Sequence, residues 1–597
     1  MPDTGPAAET LGGLRWIRLR RQMALLVGEW REMFRPRYLP SDVMAAVAVA
    51  LVALPLSLAI ANASGVRPEV GLTTAIVGGI VVALFGGSRL QVSGPAAAMT
   101  FLVYEILTKY RPEGLIAATL LAGILQVATG LSGLGRVMQF VPRPVVAGFL
   151  TGIGLTILCT QLPVILGYDV GHDEEGGAVG LLIQTVRGVG RTDVRALAVG
   201  VGAVLLMVGL PRLDRRLPAP LLAVLGSTAL AWSLGWAHEG AGSIGLLGEL
   251  PGELPRPRWP EIPWDEFNEL VVAGMALFVL ASIESLLSAS VVETMARDVP
   301  RVDHDQELIG QGLGNLASAM FGGIPVTGVI ARSATNVQSG ARTRLAAILH
   351  ALLILVMMMV LARPVGWIPL ATLAGVLVAV ALRMIEVRLL WVLWQASRAE
   401  AAVFLVTTAT ILVTDLIVGV PVGLMAALLY VIWEMSALRV RTATGDEVER
   451  MPAAQCPAVR VIEVDGPLFF GSGYPFRNLM AGQEEGVRYL ILDLHLVPLL
   501  DVTGAVLLEE LIERLSERGV VVHLARPRGR VRRRLALLRT AAFETLRKVS
   551  VHETIDEALE SVGAELAAVG GCGVCPQRGG CGLMGDLGQQ VWGRERG

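Results

Sequence analysis

The chain has 597 residues, of which 53% are hydrophobic and only 17% charged, and its net charge is -2. An average soluble domain carries about 25% charged residues, so a plain string of soluble domains is excluded, although length alone would suggest about four. The near-neutral balance gives no global field to attract nucleic acid, and five Cys in so long a chain do not make a secreted disulfide framework.

Residues 1–40 carry Arg15, Arg18, Arg20, Arg21, Arg31, Arg35 and Arg37. They read as a cytoplasmic amphipathic leader, not a cleavable signal peptide. Residues 41–438 are dominated by Ala, Val, Leu, Ile, Gly and Met. A spanning helix needs about 20 mostly apolar residues, and about fourteen candidate segments follow one another: 42–62, 69–86, 93–108, 114–134, 144–163, 195–212, 219–236, 268–291, 305–321, 327–338, 344–362, 366–383, 400–416 and 419–437. Segments 93–108 and 327–338 are too short to span at about 1.5 Å per residue. With the N-terminus inside, Arg136, Arg212, Arg215, Arg216, Arg297, Arg301, Arg342, Arg344, Arg383 and Arg388 fall on the cytoplasmic side, whereas an outer loop holds Asp169, Asp173, Glu174 and Glu175. This charge bias predicts a multi-pass cell-membrane protein with both termini cytoplasmic.

The two short segments echo each other. One opens Val92-Ser93-Gly94-Pro95 and the other Val326-Thr327-Gly328-Val329, each after a strand-like lead, 89–92 and 322–325. They stand seven segments apart, and an odd number of spans per half inverts the second half relative to the first. Paired, interrupted short segments are the best sequence pointer to a transporter site. Non-helical backbone at this depth must line a protected cavity. A helix N-terminus offers free N–H groups and about half a positive charge, so two such ends meeting mid-membrane predict an anion site. Ser93, Thr327 and the backbone of Gly94 and Gly328 would supply neutral hydrogen bonds.

Two charges lie deep in these runs. Arg332, five residues into the second short helix, leans back toward its N-terminus and would reach the anion; snorkelling to the cytoplasmic face is the other reading. Glu284 lies mid-span in Phe278–Leu287, where a carboxyl in apolar surroundings can exchange a proton near neutral pH, as proton coupling requires. Its other reading is a structural bridge to Arg332.

Residues 439–568 change period. Short β-rich runs at 458–464, 489–494 and 520–525 alternate with helical stretches near 475–484, 503–518, 531–539 and 553–568, which predicts a small α/β domain. Arg526, Arg528, Arg530, Arg532, Arg533 and Arg534 form a basic run, read first as a solvated face. The Gly-rich tail, 569–597, holds Cys572, Cys575 and Cys581. That spacing suits zinc or an iron–sulfur cluster, with Cys456 or a partner chain as a possible fourth ligand; reduced thiols in a loose tail suit it equally. No other cofactor is implied.

Several stretches together resemble the SulP family of sulfate permeases, over roughly residues 38–560. They are Ala53-Leu54-Pro55-Leu56-Ser57-Leu58-Ala59 with Gly65 and Gly71, then Gly86–Pro95, Ile283–Leu287, Glu307–Asn315, Phe321–Gly323, Thr327-Gly328, Ala331–Asn336 and Ser339–Ala341. The resemblance implies a seven-plus-seven inverted repeat with two half-helices, a core moving against a gate in elevator fashion, and a homodimer. It implies a substrate among sulfate, bicarbonate, chloride and dicarboxylates. Pro55, Ser57, Ser93, Gly94, Pro95, Ala96, Thr327, Gly328 and Arg332 are then substrate-binding, and Glu284 takes the carboxylate position linked to protons in some bacterial members. The chain departs from the pattern at Leu56, Ile60 and Ala96, where many members carry Gln, Tyr and Thr. The soluble tail resembles a cytosolic STAS domain through Leu500-Asp501-Val502-Thr503-Gly504-Ala505. Thr503 falls where related proteins carry a phosphorylated hydroxyl, and a simple N-cap is its plainer role.

The expectation is an all-α polytopic membrane domain plus a small α/β STAS domain, forming a proton-coupled carrier of an inorganic anion or small dicarboxylate. An exchanger, a channel and a transport-dead sensor signalling through the STAS domain are the alternatives. No nucleophile–base set or phosphate-binding Gly loop points to an enzyme or an ATP-driven pump.

Overall fold

The computed structural model describes residues 26–135, 142–168, 177–214, 217–237, 243–248, 256–257, 259, 261–296, 299–414, 416–442, 458–480, 486–541 and 544–568. Arg15, Arg18, Arg20, Arg21, Arg136, Asp169, Asp173, Glu174, Glu175, Arg215, Arg216, Arg297, Cys456, Cys572, Cys575 and Cys581 lie outside the described residues, as does the tail at 569–597. The chain divides into two compact units, Met1–Ala427 and Leu428–Gly597.

In the first unit a helix occupies every apolar stretch. Among the described residues six are long and apolar enough to cross a membrane: Leu39–Ala63, Pro68–Phe85, Ala97–Leu131, Arg143–Leu166, Val194–Leu213 and Trp264–Met295. The third of these is really two. Arg111 takes φ 60° and ψ 176° ahead of Pro112, because Pro has no N–H to continue the ladder and disfavours helical backbone before it. Helices absent from the sequence reading run over Gly177–Arg187 and Val387–Ala396. Thr100–Leu131, Phe267–Met295 and His304–Met320 pack together, with Leu345–Val360 against Leu39–Ala63; Arg143–Leu166 packs on Leu370–Met384 and Arg398–Val413.

The first short segment does not open as a helix at residue 93. Backbone stays extended through β1, Ser93–Gly94, and turns helical only at Ala97. The second behaves alike: β2 is Thr327–Gly328 and the helix is Ile330–Gln338. The two strands pair antiparallel, Ser93 with Gly328 and Gly94 with Thr327. A π-helical turn at Thr74–Gly78 puts Thr74 Oγ1 2.8 Å from the donating Ile324 N, which pins the second lead.

The leader is helical over residues 26–33, and the next helix already begins at Leu39. Among the described residues, its acidic side chains reach other elements: Glu29 and Glu32 pair with Arg89, and Glu29 also with Arg344, while Arg35 pairs locally with Glu32.

The second unit carries a five-stranded sheet in the order β3 (Arg439–Thr442), β4 (Val459–Asp465), β5 (Tyr489–Leu496), β6 (Val521–Ala525) and β7 (Ser550–His552). Only the β3–β4 pair is antiparallel. β3 and β7 are absent from the sequence reading. Two apolar clusters cover the two faces of the sheet: one around Ile462, Leu490, Leu492 and Leu508, the other around Val461, Ile491, Leu559 and Val562.

Candidate functional site

The site is built where the two strands cross. Gly94 is required there, since a Cβ would lie 2.4 Å from Arg332 Nη1. Gly328 is required too, since its Cβ would lie 1.4 Å from Gln91 Nε2. Gly328 N donates to Ser285 Oγ at 3.0 Å, and Gln91 Nε2 donates to Ser285 O at 3.0 Å. Val329 N donates to Val92 O at 3.0 Å, and Val92 N to Ser333 Oγ at 2.9 Å. The helix Phe267–Met295 is thereby tied to both strands.

Arg332 is fully buried and does not snorkel. Its Nη2 donates to Ser57 Oγ at 3.0 Å and to Pro95 O at 3.4 Å, while Nε and Nη1 have no partner. Ser57 donates in turn to Ala53 O at 2.7 Å. Pro55, buried in the same helix, interrupts the ladder half a turn before Ser57. A buried cation with unfilled donors is costly unless an anion completes it. Ala96, Leu56 and Ile60 are buried apolar neighbours in sequence and add no hydrogen bond.

Glu284 does not bridge to Arg332, whose made bonds all go elsewhere. It lies beside Thr327, and Glu284 Oε2 and Thr327 Oγ1 are both buried without a partner. The predicted set therefore gathers from four separate stretches: Ser57, Ser93–Ala96, Glu284, and Thr327 to Arg332.

Polar residues quoted in the sequence only as motif letters support this site. Glu307 is 1% exposed; it accepts from Gly87 N and Ser88 N, and from Gln311 Nε2, which also donates to Ser93 Oγ. Asn315 brackets Val326, taking its N–H at 2.7 Å and donating to its O at 3.1 Å, and also donates to Gln126 Oε1. A cavity of about 550 Å³, lined by Thr100, Tyr104, Glu105, Lys109, Gln161 and Thr414 among others, opens one helical turn beyond Ala96.

In the second unit Thr503 is exposed at the second position of the helix Val502–Glu517, and Asp501 is the N-cap, accepting from Gly504 N at 2.6 Å. The N-cap reading of Thr503 is thus corrected: the carboxylate two residues earlier takes the role. Arg528, Arg530, Arg532, Arg533 and Arg534 are exposed, as a solvated face requires, and Arg526 departs from it. Arg526 turns inward to pair with the buried Asp493, within a Glu463, Asp493 and His495 cluster, while Arg532 pairs with Glu553 at 2.7 Å on the surface.

Comparison with known proteins agrees with this geometry. The Sulfate permease family model matches residues 39–407 and the STAS domain model residues 450–558. YvdB of Bacillus subtilis, named a sulfate transporter by inference, is 34% identical over 482 residues, covering 80% of this chain and 89% of that protein. The bicarbonate transporter BicA of Synechocystis is 30% identical over 529 residues, covering 85% of this chain and 92% of that one. The murine Solute Carrier 26 member A9 anion transporter, at 19% identity, superposes with a TM-score of 0.80 over 90% of this chain and 94% of that chain, which shows a shared fold. With both leads crossing at a buried arginine and relatives matched from end to end, the chain belongs to the sulfate permease family and carries a STAS domain.

Proposed function

We propose that the protein is a secondary-active carrier of small anions, sulfate first among them, driven by protons through Glu284. Its membership in a family of anion transporters supports the coarse reading, and names such as sulfate transporter and bicarbonate transporter among its relatives bound the substrate class. One observation carries the reading: a fully buried guanidinium, with Nε and Nη1 unpartnered, lies against Gly94 at the crossing of two interrupted segments. Ser57 accepts from it at 3.0 Å, and the two interrupted segments turn helical a few residues beyond the crossing, at Ala97 and Ile330, where free N–H groups favour an anion. Binding an oxyanion there would fill the arginine's empty donors with charge-assisted hydrogen bonds.

An elevator movement, in which the helices holding the crossing slide against those built on Arg143–Leu166, is the transport step of this reading. A seven-plus-seven inverted repeat, a homodimer, a place in the cell membrane with both termini cytoplasmic, and a regulatory phosphate on Thr503 belong to the same proposal.

The test is uptake of labelled sulfate, bicarbonate and succinate into proteoliposomes, with and without an inward proton gradient, for wild type and Glu284→Gln. Accumulation of one anion driven by the gradient, and lost in Glu284→Gln, is expected. Flux indifferent to both would turn the assignment to an exchanger or channel.

A further inference from the structure

The hydroxyl of Ser93 has a direction, and Glu307 sets it. Resting on the anion-carrier reading above, we propose that Glu307 and Gln311 are positioning residues that force Ser93 to donate its proton to the bound anion rather than accept from its surroundings.

Glu307 and Gln311 lie one turn apart on one face of the helix His304–Met320. Glu307 Oε2 accepts from Gly87 N at 2.8 Å and Ser88 N at 2.9 Å. Gly86 and Gly87 let that loop approach, since a Cβ on Gly87 would come 1.9 Å from Asp303 O and one on Gly86 3.0 Å from the carboxylate. Glu307 Oε1 lies 2.8 Å from Gln311 Nε2. A carboxylate only accepts, so the amide must present its nitrogen, not its oxygen, on this side. The same nitrogen lies 2.9 Å from Ser93 Oγ and has a second hydrogen to give. The amide oxygen is buried without a partner and has no say in the orientation. Ser93 Oγ is therefore an acceptor toward Gln311, and its own proton must go elsewhere. Its neighbour Gly94 packs on the Arg332 guanidinium, so the anion held there is the acceptor at hand.

Without the Glu307 carboxylate, the Gln311 amide is free to turn over. Its oxygen would then take the Ser93 proton, and Ser93 would show only lone pairs to an anion. The effect is on affinity and acts through Ser93.

The experiment is uptake of labelled sulfate, or of labelled bicarbonate if the wild type takes up only that, by full-length protein in proteoliposomes. KM and maximal rate are measured for wild type, Ser93→Ala, Glu307→Gln, Gln311→Met and the two doubles that combine Ser93→Ala with each of the others. Ser93→Ala and Glu307→Gln should each raise KM roughly tenfold, the scale of one hydrogen bond to a charged group, with little change in maximal rate, whereas Gln311→Met, which removes the competing amide oxygen along with the donor, should raise it less. Each double should be no worse than Ser93→Ala alone, because the relay has nothing left to aim. Doubles that multiply the single effects, or an unchanged KM in Glu307→Gln, would overturn the relay while leaving the carrier assignment standing. A wild type that takes up no anion would overturn the carrier assignment instead. Loss of monodispersity in both Glu307→Gln and Gln311→Met counts against the relay, since the pair would then be holding the fold.

Discussion

The guanidinium buried at the meeting of the two strands lies directly against Gly94. Replacing it with Ala puts a carbon where Arg332 Nη1 now lies, 2.4 Å away. The far end of an arginine shifts at small cost, so Gly94→Ala should keep its thermal midpoint yet lose anion affinity by roughly tenfold. Uptake kinetics beside a melting curve check both halves of that statement. Arg332 and Glu284 were legible as candidates in the sequence because a lone charge in an apolar run is expensive. Glu307, Gln311 and Gln91 were not, because they stand among other polar residues near a helix start or in a loop, and nothing local says which of them turns inward.

At the scale of elements, Asp42 shows how a helix terminus can serve a distant part of the chain. In sequence it is an acidic residue in a first turn, favourable to the helix dipole. In the fold it is fully buried; it accepts from Arg342 N at 2.7 Å, Thr343 N at 3.1 Å and Thr343 Oγ1 at 2.6 Å. Asp42→Ala would leave two backbone N–H groups unsatisfied beside the start of the helix Leu345–Val360, at a cost of about 2–4 kcal/mol. Unfolding in detergent should show the lower stability, and Asp42→Asn should recover part of it. The long helices were legible from hydropathy alone. The helices Gly177–Arg187 and Val387–Ala396 were passed over because they are shorter than a span, and β3 and β7 because runs of four and three residues are too short to show a period. The start of each half-helix was placed some residues early. Pairing between the leads keeps residues 93–94 and 327–328 extended, and that pairing joins positions far apart in the chain.

For the whole molecule, the two units have separate apolar cores, so heating the full chain in detergent should give two transitions. The second unit's should respond to mild acid through His523. Burial, helped by the neighbouring His552, pushes the His523 pKa down from its ordinary 6.5 to about 4, and the two rings meet at 3.1 Å between Nδ1 and Nε2. Between those values the unfolded chain takes a proton that the folded chain refuses. Stability is therefore fully present above about pH 6.5 and falls as the pH drops toward 4. Calorimetry across that range should show the second unit's transition moving down in wild type and moving less in His523→Leu.

By itself the sequence determined the membrane character, the division into a transport part and an α/β tail, and the identity of the two deep charges. Each of these follows from composition, period or the cost of burying charge, which are properties of a local stretch. Only the tertiary structure decided that the two leads pair as strands, that Glu284 lies beside Thr327 and not Arg332, that Asp501 caps the helix Thr503 seemed to cap, and that a carboxylate at 307 reaches Ser93 through Gln311. The strand pairing, the place of Glu284 and the reach of Glu307 depend on groups that meet from distant parts of the chain, more than two hundred residues apart for Glu307 and Gly87 and for Gln311 and Ser93, and no local pattern encodes such a meeting; at Asp501 the backbone's path chose between two nearby polar residues that each offer a capping oxygen.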